Sequence, residues 1–241
     1  MTTISLHLKN WFLTLVALLL FASVSLADTT KVTLTSVGNG TAVGNVYVGP
    51  YVATLGSGST AVSTYVLCDD WSDNTYLNES WTATIYTLSP LSGTPLFGNN
   101  QSLYNAMAWL GSQLLANPTD KTLQADISFA IWELSYGANN TAKETPAPTS
   151  SIYPVDQSVV AGLISQALNS GFDGSGWEIL TPISGTASCP GYANSTCPSS
   201  PPQEFLVYAP ESSAVVMLGA DMFGLLALVF VFRRRLLRPT Q

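Results

Sequence analysis

Apolar and polar residues change rhythm twice along this chain. From Thr30 to Leu67, threonine, valine and tyrosine dominate, broken by Gly38-Asn39-Gly40, Gly49-Pro50 and Gly56-Ser57-Gly58. That pattern predicts strands separated by turns. Ser80 to Thr87 continues it, and Ser89 to Asn100, with two prolines, two glycines and paired asparagines, reads as loop. The period then lengthens to that of a helix. Leu103, Ala106, Met107, Leu110 and Leu114 form one stripe. Leu123, Ile127, Ala130, Ile131 and Leu134 form a second, with Gly137 as its stop. Val159, Val160, Leu163, Ile164, Ala167 and Leu168 form a third, with Asp156 at the N-cap position and Gly171 beyond the end. Trp177 to Leu180 and Glu204 to Tyr208 return to strand chemistry. Strands, then helices, then strands predict an α+β domain: an antiparallel β-sheet or barrel-like body with a three-helix insertion.

The two ends follow other rules. Lys9 precedes an apolar run from Trp11 to Leu20, and the segment closes on Ser25-Leu26-Ala27. Small residues at positions 25 and 27 suit a signal peptidase, so residues 1–27 are expected to be a signal peptide cut between Ala27 and Asp28. An uncleaved N-terminal anchor is the alternative. At the other end, Ser212 to Phe232 is largely apolar, and a helix of that length crosses about 30 Å of hydrocarbon. Arg233, Arg234 and Arg235 follow at once, with Arg238 beyond. The positive-inside rule keeps those arginines cytoplasmic and places residues 28–208 outside as an ectodomain. Asp221 lies within the span, where a carboxylate is costly unless neutralised or paired.

Charge narrows the function classes. Between Asp28 and Ala209 there are three lysines, no arginine and thirteen acids, a net charge of −10. Nucleic acid, which needs a basic stripe, is excluded as a partner. The sole histidine, His7, falls in the signal peptide, so histidine-dependent triads and His-ligated zinc are excluded too. No metal site and no cofactor are expected. Cys189 and Cys197 enclose Pro-Gly-Tyr-Ala-Asn-Ser-Thr, which is turn chemistry, and an exported protein meets an oxidising compartment. A disulfide between them is expected, with Cys68 left over as a small buried hydrophobe.

The tail resembles a known signal. Ala209-Pro210-Glu211-Ser212, an apolar helix with Gly219 and Gly224, and the arginine cluster are similar to a PEP-CTERM sorting signal, with Ser212 where that family has a second proline. The resemblance covers residues 209–241. It implies recognition by an exosortase-type processing enzyme and a role at the cell surface or in a biofilm or exopolysaccharide matrix. An ordinary C-terminal anchor would share the layout. Tyr47-Val48-Gly49-Pro50-Tyr51, Leu67-Cys68-Asp69-Asp70-Trp71, Ala108-Trp109-Leu110 and Ile127-Ser128-Phe129-Ala130-Ile131-Trp132 resemble a recurrent PEP-CTERM ectodomain. The Cys-Asp-Asp and Ala-Ile-Trp elements are also similar to bacterial thioester domains, which implies a cysteine joined to a glutamine two residues before Ala-Ile-Trp. Ser128 stands there instead, and a hydroxymethyl group has no carbonyl for sulfur to attack. Gln124 lies one turn earlier, about 6 Å along the axis. Cys68, Ser128 and Gln124 are therefore expected to form a vestigial thioester-like site.

Other chemistry is weaker. Asp69, Asp70 and Asp73 lack the ladder of a calcium loop and are expected to be a solvated acidic turn. Asp69 or Asp70 with Glu133 is the carboxylate pair that the sequence offers a hydrolase. Trp71, Trp81, Trp109, Trp132 and Trp177 are expected in the core rather than on a sugar-stacking platform. The function expected is that of an exported, non-enzymatic surface or matrix protein. A covalent thioester adhesin and a carbohydrate-binding domain are the alternatives.

Overall fold

Valine, threonine and tyrosine runs form strands where predicted, and their burial shows which face each presents. The computed structural model describes residues 28–38, 40–138, 148, 153–190, 197, 201–209 and 224. The expected signal peptide with Ala27, and the sorting residues Pro210, Glu211, Ser212, Arg233, Arg234 and Arg235, lie outside these. In chain order the strands are β1 (Asp28–Ser36), β2 (Ala42–Val43), β3 (Val46–Tyr47), β4 (Tyr51–Leu55), β5 (Val62–Cys68), β6 (Ser80–Thr87), β7 (Trp177–Pro182) and β8 (Phe205–Tyr208). Six of them close an antiparallel barrel in the order β1-β4-β5-β8-β7-β6, with β6 returning to β1; β2 and β3 form a separate hairpin. The chain is therefore α+β, with a closed barrel as its sheet.

Burial separates the barrel's two sides. On β1, Val32 and Leu34 are buried while Thr33 between them is not, as expected for a strand with one face in the barrel and one in water. On β5 and β8, Val66-Leu67-Cys68 and Phe205-Leu206-Val207 are buried without alternation. The interior takes Phe205, which stacks on Trp81 at 5.7 Å between ring centres and meets Tyr51 edge-on at 6.0 Å. Leu206 and its cross-strand partner Leu67 therefore point outward. They are buried because helices cover that wall.

Those helices form the insertion between β6 and β7: α1 (Gln101–Ala116), α2 (Lys121–Ala138) and α3 (Gln157–Asn169). Each packs on the other two. Asn100 caps α1 by accepting from the Leu103 amide, and Asp156 caps α3 by accepting from the amides of Ser158 and Val159. Gly137, expected as a stop, lies inside α2, which runs one residue further. Gly111 brings α1 onto the barrel: a Cβ there would lie 2.5 Å from Leu67 Cδ1 and 2.7 Å from the Trp177 indole. Among the described residues no helix is long and apolar enough to cross a membrane, and apart from Gly224 the expected span 212–232 lies outside them.

Candidate functional site

Strand β5 ends at Cys68, opposite Phe205. Its carbonyl accepts from the Trp132 indole N–H of α2 at 3.0 Å, and its thiol donates to the Asp70 carbonyl at 3.2 Å. The residue is 4% exposed. Burial, then the nearby carboxyls of Asp70 and Asp69, push its thiol pKa well up, so sulfur stays protonated.

Ser128, one turn before Trp132, occupies the position at which the resemblance implies an acyl donor. Its hydroxyl donates to the Gln124 carbonyl at 2.8 Å and accepts from the Gly49 amide at 2.9 Å. Gly49 has φ +89°, which favours glycine, and a Cβ there would lie 3.0 Å from Gln124 Oε1 and press on that side chain. The last β4–β5 pair is Tyr51 with Val66. Gly49 stands two residues before Tyr51, in the bend leading into β4, and Cys68 two residues past Val66, at the end of β5. Helix α2 thus touches the bend before β4 through Ser128 and the end of β5 through Trp132. Gln124 donates its Nε2 to the Asn117 carbonyl at 2.9 Å.

The acids after Cys68 are not the solvated turn that the sequence suggests. Asp69 and Asp70 are 0% and 1% exposed, and only Asp73 is partly open. The β5–β8 pairing draws them in: the Asp69 amide donates to the Glu204 carbonyl at 3.4 Å, and the Asp70 carbonyl accepts Gln203 Nε2 at 2.8 Å. Glu204, fully buried at the head of β8, accepts from the Tyr104 hydroxyl at 2.6 Å, from the Leu96 amide at 2.9 Å and from the Thr181 hydroxyl. Among the described residues, neither carboxyl oxygen of Asp69 accepts a hydrogen bond from another residue. Burial, then the charge of Glu204, push the Asp69 pKa well up. Burial raises Glu204 as well, a rise that its hydrogen bonds from Thr181, Tyr104 and the Leu96 amide oppose, and the two carboxyls titrate as a pair. Asp70 is raised to about 7 by burial and then by Asp73, which its carboxyl faces. Two carboxyls in that relation hydrogen-bond only when one holds a proton. Glu133, which the sequence offered as the partner of Asp69 or Asp70, is on α2, and Glu204 is the acid the fold supplies. The sequence signal for Glu204 was faint: one acid leading the apolar run Phe-Leu-Val-Tyr.

Beside this cluster a cavity of about 280 Å³ opens at the barrel mouth. Its walls include Tyr47, Tyr51, Trp71 and Tyr153, and its polar lining includes Asn45, Asp73, Asn74 and Gln203. The Tyr51 hydroxyl donates to the Tyr47 carbonyl at 2.7 Å, which holds the β2–β3 hairpin over the opening. Trp71 lies 5.1 Å from Trp132 and meets Tyr153 edge-on at 5.3 Å. Trp81, Trp132 and Trp177 are buried in the core, and Trp71 and Trp109 pack against it partly buried; Trp71 and Trp132 also line the cavity.

Cys189 and Cys197 are joined in a disulfide with their Cα atoms 5.1 Å apart, and Cys68 is free and buried. Among the described residues, three potential metal-ligand side chains converge at Glu79, Cys189 and Cys197, but the two sulfurs are bonded to each other and offer no thiolate. Comparisons with protein-family models, with curated proteins and with solved structures return no match.

Proposed function

We propose that the chain is an exported cell-surface or matrix protein, sorted through its PEP-CTERM-like tail, whose barrel domain binds rather than catalyses. The observation that carries this reading is the Cys189–Cys197 disulfide, because such bonds persist in oxidising compartments outside the cytosol. Two further points support it: the thiol of Cys68 is sealed and protonated, and an aromatic cavity opens at one end of the barrel. Fusing residues 209–241 to a secreted reporter tests the sorting step. Release should stop when the exosortase is deleted, and unchanged release would reduce the tail to a plain anchor.

A covalent adhesin is the second reading, favoured by the approach of α2 to the end of β5, where Cys68 stands. The hydrogen bonds weigh against a live bond, since Ser128 holds Gly49, Gln124 holds Asn117 and sulfur holds Asp70. The thioester-like frame is read here as architecture without its reaction.

A further inference from the structure

The cavity at the barrel mouth combines three features. Aromatic rings form its walls, and the apolar C–H face of a pyranose ring packs on such surfaces. Side-chain amides, Asn45 and Asn74 among them, stand at exposed positions on its rim, and an amide both donates to and accepts from hydroxyls. Among the described residues its one charged lining group is the carboxyl of Asp73, which faces that of Asp70, and none of its lining residues is a lysine or arginine. Uronates, sulfates and phosphates would meet negative charge there with no counter-charge from those residues. An ammonium would find both a carboxylate and aromatic faces, the pairing that binds cations best at partly desolvated sites. A volume near 280 Å³ is at the small end for ligand pockets and suits one sugar ring. The net charge of −10 between Asp28 and Ala209 draws a polycation toward the surface.

We propose that this cavity binds a hexosamine unit carrying a free ammonium, within a cationic amino-sugar polymer: Trp71 and Tyr47 take the ring, Asn45 and Asn74 its hydroxyls, and Asp73 its charge. The inference rests on the reading of the domain as a surface-binding module and names what it binds.

Titration calorimetry on the purified full chain tests it, with hexamers of glucosamine, N-acetylglucosamine, glucose and galacturonic acid, and with pentalysine, as probes. The glucosamine hexamer should bind, its acetylated and neutral counterparts about tenfold more weakly, pentalysine, which has ammoniums but no ring, also at least about tenfold more weakly, and the galacturonate hexamer not at all. Asp73→Asn should remove the preference for the free amine while leaving binding of the acetylated hexamer unchanged. Tyr47→Ala, at an exposed hairpin position that the core does not need, should weaken all the sugars that bind; Trp71→Ala should do so more strongly. Equal binding of free and acetylated hexamers, pentalysine binding as well as glucosamine, or unaltered affinity in both Asp73→Asn and Tyr47→Ala would overturn the proposal. Labelling of Lys121 on intact cells reads the surface location separately. A chain found outside that binds no glucosamine refutes the ligand alone, and a chain found inside that binds it refutes the export reading alone.

Discussion

Cys68 is placed as a donor, with its proton pointed at the Asp70 carbonyl and two carboxyls close by. Thiolate is the attacking form, and burial and the two carboxyls disfavour it. Intact-mass measurement should therefore give the full mass of the processed chain, with no deficit of one ammonia (about 17 Da), and methylamine should add nothing. A deficit that methylamine restores would show a live bond. The carboxyls give a second residue-scale expectation. Asp70 binds a proton in the fold up to about pH 7, whereas the unfolded chain releases it near 3.8. The folded state holds the extra proton in that window, so stability is full below it and falls as pH rises through 7. Asp69 and Glu204, also raised, act with the same sign. Urea midpoints should be higher at pH 5 than at pH 8, by a few kcal/mol in unfolding free energy. Asp70→Asn should flatten that slope, and a rise in stability between pH 5 and 8 would contradict it.

At the scale of elements, α1 depends on having no side chain at Gly111. Alanine there would gain up to about 1 kcal/mol of helix propensity. It would also press on Leu67 and the rigid Trp177 indole, and overpacking costs about 1–3 kcal/mol, so Gly111→Ala should be a net loss in denaturant melts. Cys189→Ser opens a short loop and should cost about 2.5 kcal/mol by loop entropy. These elements were legible because their signals are local. The stripe from Val159 to Leu168 with Asp156 before it specifies α3, and Ser80 to Thr87 gives β6 to the residue. The site was legible only in part. Whether Asp69 is wet or buried depends on β8 arriving beside β5 with Glu204 at its head, a pairing of distant segments that no local spacing encodes. Trp71 is similar: it closes the same Leu-Cys-Asp-Asp-Trp run as the buried acids, yet the hairpin carrying Tyr47 leaves it facing a cavity. Closure of the sheet into a barrel rather than an open antiparallel layer rests on β6 returning to β1, which is again non-local.

For the whole molecule, the proposed polarity makes a direct claim about access. Lys121 is exposed at the start of α2, so an impermeant amine reagent applied to intact cells should modify it. Protection in intact cells with reaction after lysis would place the barrel inside and end the account. The barrel also fixes how such a molecule would carry load. Gln203, beside the cavity, stands just before β8, and Ala209, just after it, donates its amide to the Gly176 carbonyl at 2.8 Å, at the opposite end. Strand β8 is hydrogen-bonded on both sides, to β5 and to β7. A polymer tugging at the mouth and a tether tugging at the tail would pull along one doubly gripped strand, so its ladder bonds would be sheared together rather than peeled one at a time, and the domain would hold fast under drag.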